Sequence, residues 1–399
     1  MNEQKTTVLE KSAGTVRTAP GPADGIAVPR FAALPDRAMP GEYSVSLAAL
    51  RCGGTDRFLA ARPSHLKQQS LAGFDPEYVD IVDYIVRITH RIWEQKDIGY
   101  IYESYSHDCR VWDDVGLQYG RDKIVADTVH TNAAMPDIRL VADEVIWAGD
   151  SDLSFHTSHR TMIFGTNTGW SRWGPPTGRN VKLLCIANCV ARANEIHTEH
   201  VAYDTAMMLK QLGVNLVEAA RAAADARLDV DRPAFAGGEP LRLPGQGKPG
   251  RPAIPAAEDD LRGFVLGAFQ RIWNGRDFSA MTEIYDPLVD VEMSTGRAFY
   301  DLGQLRSHLL GLFAMFPNLG VRVDDLYWMG NPKDGYLVSI RWGATGHHRG
   351  HGPYGPPTNR EVHLWGITQW HIENGKVRRE WTAFNEFGVL MQIFGSATE

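Results

Sequence analysis

The sequence contains few cysteines, four in 399 residues, and they are widely separated. A disulfide framework requires an even, closely spaced set in a short secreted chain, so these cysteines favour a reducing compartment. No apolar run reaches the ~18–20 residues that cross a bilayer, and the start of the chain lacks the basic and apolar segments of a signal peptide. These absences predict a cytoplasmic protein without membrane-spanning segments.

The sequence also has no excess of positive charge, because 41 Lys and Arg residues against 48 Asp and Glu residues give a formal charge of −7. Proteins that follow the phosphates of nucleic acid concentrate Lys and Arg on one surface, so nucleic acid is not an expected partner. A glycine-rich phosphate loop, a dinucleotide fingerprint, a serine nucleophile elbow and a zinc signature are absent as well. If the protein is an enzyme, the sequence predicts one that uses no cofactor and no metal.

An internal repeat is the most informative feature that is present. Arg91-Ile92-Trp93 matches Arg271-Ile272-Trp273 at an offset of 180, and Gly174-Pro175-Pro176-Thr177 matches Gly355-Pro356-Pro357-Thr358 at an offset of 181. The change of offset indicates one inserted residue between the early and the late matches. The chain is therefore a duplication. Further identical pairs at these offsets are Asp97 and Asp277, Pro136 and Pro317, Trp147 and Trp328, and Gln211 and Gln392.

The repeat divides the chain into two domains. Residues 1–75 are rich in Pro, Gly, Ala and Arg and predict an extended or partly disordered arm, in which only Tyr43–Leu50 could form a short docked element. The two copies occupy 76–213 and 258–399, and the segment 214–257 predicts a helix followed by a Pro- and Gly-rich linker. We expect the domains to pack sheet to sheet as an intrachain pseudo-dimer, with further self-association left open.

Each copy has the same order of predicted elements. The apolar residues of Asp80–Glu94 recur with the i, i+3, i+4 spacing of an amphipathic helix, and Leu261–Trp273 repeats the pattern. A short helix, a β segment and a third helix over Asp122–Ala134 follow, and four long β-rich runs come last. In the second copy Asn374-Gly375 supplies a tight turn between the last two strands. This order predicts an α+β domain, a cone in which a curved antiparallel sheet wraps about three helices.

A motif in the long loop resembles that of a known family. Residues 164–179, Phe-Gly-Thr-Asn-Thr-Gly-Trp-Ser-Arg-Trp-Gly-Pro-Pro-Thr-Gly-Arg, resemble the Gly-Thr-His-Thr-Gly and Pro-Pro-Thr-Gly loop of SnoaL-like polyketide cyclases, in the nuclear transport factor 2-like superfamily. The run from Glu199 to Asp204 and the later Gln211-Leu212-Gly213 are similar to that family's closing patterns. The resemblance implies two tandem cones, each enclosing a pocket for a small, largely apolar molecule, in a fold that hosts many reactions.

The resemblance implies a catalytic role for Asp204, because the Asp of the closing pattern transfers a proton in SnoaL-like cyclases. The second copy has Asn385 there, and an amide does not exchange a proton near neutral pH, so the first pocket is expected to be the active one. His200 lies four residues before Asp204 and projects to the same side of a strand, where both could line one cavity. The alternative for Asp204 is a cap on the following helix.

Equivalent arginines and tyrosines supply the next candidates. Arg160 and Arg341 occupy matching positions on the second long strand, and His156 shares the polar face of Arg160. A guanidinium inside the cone would stabilise an oxyanion, whereas on the outer face of the sheet it would form an ion pair. Tyr105 and Tyr285 would either donate to a ligand oxygen or serve as core residues with a tethered hydroxyl.

Aromatic residues and histidines complete the candidate sites. We expect Trp112 to contact the substrate and the tryptophan-rich loop, with Trp170 and Trp173, to gate the first pocket. In the second domain, His308 on the third helix and His348 in the long loop are further candidates, although a histidine on a helix is more often satisfied or exposed than catalytic.

Two paired motifs are not expected to bind a metal. His156-x-x-His159 lies on a strand, where residues three apart face opposite sides, and Cys185-x-x-x-Cys189 lacks further ligands. The histidine cluster within 347–351 is a better candidate, but no carboxylate or cysteine accompanies it.

The sequence thus predicts a cofactor-independent enzyme that moves a proton on a small aromatic, polyketide-like or terpenoid-like molecule. Isomerisation, cyclisation and elimination all fit one carboxylic acid in an apolar cone. A hydrolase of the same fold is one alternative, and a non-catalytic protein for small-molecule binding or assembly is another. Proton exchange at a substrate carbon would separate an enzyme from a binder.

Overall fold

The structure is a computed structural model that describes residues 55–60, 69–226, 232–233 and 252–395. The predicted element Tyr43–Leu50 lies outside these residues, as do most of the N-terminal arm and most of the linker. Within the part that is described, no helix is long and apolar enough to cross a membrane.

The first domain places its helices on the concave face of a curved sheet. Its elements in chain order are α1 (Ile81–Trp93), a 3₁₀ turn (Ile98–Tyr100), α2 (Ile101–Ser104), β1 (Tyr105–Trp112), β2 (Gly116–Tyr119), α3 (Arg121–Ala134), β3 (Arg139–Asp150), β4 (Ser154–Thr166), β5 (Asn180–Arg192), β6 (Glu195–Ala202) and α4 (Thr205–Leu212).

The second domain repeats this order after a connecting helix. The connection and the second domain consist of α5 (Leu216–Asp225), the two-residue β7 (Arg232–Pro233), α6 (Leu261–Ala268), a π-helical segment (Phe269–Asn274), a 3₁₀ turn (Phe278–Ala280), α7 (Met281–Ile284), β8 (Tyr285–Met293), a 3₁₀ turn (Ser294–Gly296), β9 (Arg297–Phe299), α8 (Leu302–Met315), β10 (Gly320–Asn331), β11 (Gly335–His347), β12 (Glu361–Glu373), β13 (Lys376–Phe384) and α9 (Glu386–Phe394).

The π-helical segment replaces the end of the helix predicted over Leu261–Trp273. It ends where the Asn274 side chain exchanges two hydrogen bonds with the backbone of Val321 on β10, each 2.8 Å long. These two hydrogen bonds attach the end of the π-helical segment to strand β10.

The first sheet has the strand order β3-β4-β5-β6-β1-β2-β7 and the second has β10-β11-β12-β13-β8-β9, so the two orders are the same except that β7 is added at the edge of the first. One pairing in each described sheet is parallel, β1 with β6 and β8 with β13, and the other pairings are antiparallel. This pairing departs from the predicted antiparallel sheet because the first strand joins the outer edge of the meander without a hairpin. The α+β class and the two tandem domains are confirmed.

The sequence of α1 explains its place in the core. The Asp80 side chain accepts a hydrogen bond from the N–H of Asp83, which caps the first turn. Ile81, Ile85 and Ile92 are among the buried residues of the helix, whose inner face packs on β3. The predicted amphipathic helix is therefore confirmed.

Matching tight turns close the last hairpin of each domain. Asn374 and Gly375 have φ values of 50° and 69°, and Ala193 and Asn194 have 48° and 72°. Two consecutive positive φ values are typical of the type I′ turn, whose twist suits a hairpin. The turn predicted at Asn374-Gly375 is confirmed.

The convex faces of the two sheets pack against each other. β3 contacts β10 and β11, and β5 contacts β12 and β13. A buried apolar cluster lies at the centre of this interface, and it contains Leu184, Ile186, Ala202, Trp365, Ile367 and Ala383. The domains thus form a sheet-to-sheet pseudo-dimer within one chain.

A buried polar network crosses the same interface. Arg160 Nε donates to Asp143 Oδ2 at 2.7 Å, and Arg160 Nη1 donates to Gln369 Oε1 at 2.5 Å. Gln369 Nε2 in turn donates to the backbone and side-chain oxygens of Ser158 at 3.0 and 2.9 Å. The guanidinium also lies over the ring of Trp381, 3.6 Å from its centroid. Arg160 therefore connects the two domains.

We predict that Arg160→Ala lowers the free energy of unfolding by roughly 3–5 kcal/mol, because it removes the guanidinium from a buried ion pair with Asp143. Arg341→Ala is the matched control, since Arg341 holds the equivalent position but lies 3.8 Å from Asp324, with a side chain that is 16% exposed against 5% for Arg160. We expect a smaller loss there. Urea unfolding measures both, and equal losses would contradict the prediction.

Candidate functional site

A cavity of about 230 Å³ lies inside the first domain, between α1, α3 and the concave face of the sheet. Its walls are mainly apolar, and polar side chains enter it at a few points, as is usual for small-molecule sites. Six of the apolar residues are Ile88, Ile92, Ile124, Leu140, Ile163 and Val201.

Glu199 on β6 is an acidic residue of this cavity. Strand alternation puts Glu199, Val201 and Tyr203 on the concave face, and all three line the cavity. The Tyr105 hydroxyl donates to Glu199 Oε2 at 3.0 Å. Burial raises the pKa of Glu199 to about 7, and hydrogen bonds from Tyr105 and Cys189 oppose the rise. Near neutral pH this carboxyl therefore populates both protonation states, as general acid/base catalysis requires.

Two more carboxylates reach the cavity wall from the β1–β2 loop. Asp113 accepts hydrogen bonds from two backbone N–H groups of its own loop, both at 2.9 Å. Asp114 accepts from the N–H groups of Thr205 at 2.9 Å and Tyr203 at 3.3 Å. Burial raises the pKa of both carboxyls, that of Asp114 to about 7. Their hydrogen bonds hold the loop together and join it to the start of α4.

His159 on β4 also faces the cavity and is only 4% exposed. Its Nε2 has no hydrogen-bond partner among the described residues. Burial lowers the pKa of His159 to about 3, so the imidazole is neutral near pH 7. The cavity wall therefore contains a buried, neutral polar group.

The long loop after β4 borders the cavity together with α3. Arg172 Nη2 lies 3.5 Å from Asp127 Oδ1, and both residues line the cavity. Trp173 lines it as well, and its ring packs edge-on against Phe387 of α9, with centroids 5.1 Å apart. A loop that encloses the cavity of the first domain thus rests on a helix of the second.

The second domain keeps the same acid in a closed environment. Glu380 lies 181 positions after Glu199, and the Tyr285 hydroxyl donates to its Oε2 at 2.9 Å. Trp370 Nε1 donates to the same oxygen at 2.8 Å, and the Thr382 hydroxyl donates to Oε1 at 3.0 Å. This carboxylate is therefore enclosed by protein donors.

Aromatic rings fill the space above Glu380. Phe269 lies 6.4 Å from Trp273 and 5.8 Å from Trp370, and Trp273 lies 5.9 Å from Trp342, measured between ring centroids. The first domain keeps one of these rings, as Trp93, but carries smaller residues at the other three positions. The pairs are Thr89 and Phe269, Thr161 and Trp342, and Cys189 and Trp370. These three differences leave the cavity open in the first domain.

The structure places Asp204 outside the cavity. A φ of 52° turns the chain at the end of β6, and Asp204 Oδ1 accepts from the N–H of Met207 at 3.4 Å as the cap of α4. Its two oxygens also accept from the N–H of Thr295 in the second domain, at 2.9 and 2.8 Å. Burial raises the pKa of Asp204 to about 6. The expected position at the cavity is thus corrected, and the capping alternative matches the observed contacts.

Four other predicted site residues lie between the sheets. His200 stacks on Trp112, with ring centroids 6.1 Å apart, and meets Trp365 of the second domain at 5.9 Å. His156 Nδ1 lies 3.9 Å from a carboxylate oxygen of the second domain. Together with Arg160, these side chains leave their strands on the convex face. The expectation that they contact a substrate in the cone is corrected for this reason.

Tyr105 and Trp173 are the predicted substrate-binding residues that line the cavity. Trp170, on the same loop as Trp173, is 73% exposed and does not line it.

The second-domain candidates do not meet at one open site. Tyr285 is bonded to the enclosed Glu380, and Arg341 faces the interface. Asn385 Oδ1 accepts a backbone N–H at 2.9 Å, and His348 Nδ1 lies 3.3 Å from a threonine hydroxyl. Burial lowers the pKa of His308 to about 4.

Glu199 is an acidic residue of the cavity that the sequence reasoning missed as a candidate, as it missed Asp113 and Asp114. The signal was present, because the pair Tyr105 and Glu199 recurs as Tyr285 and Glu380 at offsets of 180 and 181. Strand alternation also puts Glu199 on the face opposite His200. An acid and a hydroxyl donor that are duplicated together indicate a contact.

No three His, Cys, Asp or Glu side chains in the described ranges are grouped so as to hold a metal ion. Cys185 and Cys189 both line the cavity. Burial raises the pKa of each, so they are thiols near neutral pH.

We predict that Thr161→Trp closes the cavity, because Trp342 fills the equivalent space in the second domain. Binding of a two-ring probe, 2-naphthol, should be lost in isothermal titration calorimetry, whereas the control Thr161→Ser should retain it. The reverse change, Trp342→Thr, should destabilise the protein by roughly 3–5 kcal/mol because it opens a hole in a packed core. Unchanged naphthol binding by Thr161→Trp would contradict the prediction.

Comparison with known proteins gives a family match in the second domain. Residues 264–393 match the model of the SnoaL-like polyketide cyclase family. No curated protein matches the chain.

Three solved structures are similar to part of this chain. A protein of Jannaschia sp. CCS1 assigned as a SnoaL-like polyketide cyclase has 20% identity, a TM-score of 0.32, and covers 37% of this chain and 100% of its own. AclR of Streptomyces galilaeus, assigned as a hydroxylase, has 19% identity and a TM-score of 0.30, and the match covers 34% of this chain and 96% of AclR. IdmH of Streptomyces antibioticus, assigned as a polyketide cyclase, has 21% identity and a TM-score of 0.28, and the match covers 34% of this chain and 96% of IdmH. The family match lies within the second domain, and the first domain repeats the element order and the strand order of the second.

Proposed function

We propose that the first domain is an enzyme that moves a proton on a small, largely apolar molecule, with Glu199 as the acid/base and Tyr105 as the residue that orients it. The single observation that carries the proposal is the contrast between the two copies. The Tyr–Glu pair faces an open cavity in the first domain and lies under packed rings in the second.

The environment of Glu199 suits proton abstraction from carbon. The Glu199 carboxylate takes a proton from a substrate carbon next to a carbonyl group. The electron pair of the broken C–H bond is then shared with the carbonyl oxygen, which gives an enolate. In an isomerisation Glu199 returns the proton to another carbon. In a cyclisation the carbanion carbon bonds to a second carbonyl carbon, whose oxygen receives the proton. Low local polarity strengthens the Tyr105 hydrogen bond that holds the carboxylate in place.

The volume of the cavity limits the size of the substrate. An apolar cavity of about 150 Å³ holds benzene. A cavity of about 230 Å³ therefore suits one substituted ring or two fused rings. An extended chain of several fused rings does not fit without a wider opening of the walls.

We predict that Glu199→Gln lowers proton exchange at carbon by at least about 100-fold, because the amide cannot carry the proton. The assay follows deuterium uptake by 2-tetralone, a two-ring ketone, in D₂O by NMR. Asp204→Asn is the matched control, since Asp204 lies outside the cavity and its amide oxygen can still accept the Thr295 N–H. Wild-type exchange no faster than buffer, with 2-tetralone bound, would favour the non-catalytic binder. Loss in Asp204→Asn with retention in Glu199→Gln would overturn the role of Glu199.

The pH profile gives an independent prediction. If the carboxylate of Glu199 is the base, exchange rises with pH as the proton leaves, reaches half its maximum near pH 7 and then levels off. Tyr105→Phe removes a hydrogen bond that favours the charged form, so the pKa of Glu199 rises and the midpoint moves to higher pH. Tyr285→Phe, the equivalent change in the second domain, should leave the midpoint in place. A midpoint that does not move in Tyr105→Phe would contradict this arrangement.

A further inference from the structure

His159 is a polar group of the cavity that the proposed chemistry leaves unused. The carboxylates of Asp113 and Asp114 accept backbone N–H groups, and that of Glu199 accepts the Tyr105 hydroxyl. His159 Nε2 has no partner among the residues that the structure describes, although the side chain is buried. Buried polar atoms in native proteins are nearly always hydrogen-bonded, so an orphan on a side chain that lines a cavity points to a ligand atom.

The sheet register fixes the place of His159 relative to Glu199. His159 pairs with Ala187 on β5, and Ala187 pairs with Val201 on β6. Glu199 lies two residues before Val201 on the same face. Two strand spacings and two residues along a strand separate the backbones of His159 and Glu199 by about 10–12 Å. The two side chains therefore enter the cavity at separate points, and one molecule can contact both.

The chemistry of His159 limits the group that it can bind. Asp143 and Arg160 are the charged groups that influence the pKa of His159, and they pair with each other on the opposite face of the sheet. Burial favours the neutral imidazole, whose Nε2 donates or accepts one hydrogen bond according to the tautomer and carries no charge. A carboxylate or phosphate would gain no ion pair there. A neutral oxygen, as in a ketone, a phenol or an alcohol, matches it.

We propose that His159 is the polar anchor of the substrate, and that its Nε2 hydrogen-bonds a neutral oxygen on a molecule of one or two rings whose other end lies at Glu199. This inference rests on the proposed function and adds the class of substrate: a compact, oxygenated and uncharged ring compound.

Two probes that differ in one oxygen test the inference. 2-Naphthol and naphthalene share the same two rings, and the phenol can donate or accept, so it suits either tautomer of His159. Equilibrium dialysis at pH 6 measures both dissociation constants. We expect wild type to bind 2-naphthol about fivefold to tenfold more tightly than naphthalene, as one net hydrogen bond allows.

Substitutions on strand β4 distinguish the proposed hydrogen bond of His159 from general effects of substitution. His159→Phe should bind the two probes equally, because the ring remains and the nitrogen is gone. His159→Gln should keep the preference, because its amide restores a hydrogen-bonding group. His156→Phe is the matched control, a histidine three residues away on the convex face, and it should keep the preference as well.

The outcomes also distinguish this inference from the proposed function. Equal binding of both probes by wild type, or a preference that persists in His159→Phe, overturns the anchor and leaves the role of Glu199 standing. If the preference for 2-naphthol over naphthalene is lost in Glu199→Gln and kept in His159→Phe, the phenol binds the carboxyl of Glu199. This result also overturns the role of His159 as the anchor. Failure of wild type to bind either probe overturns the cavity as a binding site, and both proposals with it.

Discussion

Over most of their length the long strands are covered on both faces, and this constraint decides where chemistry is located. Consecutive side chains of a strand alternate between the helices of their own domain and the sheet of the other. One step along the chain therefore exchanges a cavity position for an interface position. His159 lies in the cavity and Arg160 binds the second domain, and Glu199 and His200 divide in the same way.

The duplicated domains differ more in side-chain volume than in backbone. Strand order, the parallel edge strand, the final tight turn and the Tyr–Glu pair all recur. The second domain uses its volume for stability, because large buried rings contribute several kcal/mol each to a core. The first domain lacks most of these rings and instead holds the carboxyl of Glu199, whose pKa is raised, and the imidazole of His159, whose Nε2 has no hydrogen-bond partner among the described residues. Such a difference is typical of a site kept open against the usual drive to close packing.

The sequence was sufficient for the architecture, and much less so for the site. Periodicity located α1, and the offsets of 180 and 181 located the second domain, because these features depend only on spacing. Asp204 was expected to line the cavity and lies outside it, because the positive φ at this residue, which no spacing reveals, turns its side chain out of the strand pattern. The interface role of Arg160 depends on the partner sheet. The π-helical segment at Phe269–Asn274 depends on a contact with a distant strand.

The fusion of two copies into one chain has a consequence for how the asymmetry arose. In a dimer of identical subunits, every change of residue occurs twice, so a tryptophan that fills one cavity fills both. A covalent tandem removes this coupling, since Trp342 and Thr161 are separate codons of one gene. One half is then free to become a rigid support while the other retains a vacant interior. The contact of Phe387 in the second domain with Trp173 places the second domain against the loop that borders the cavity of the first.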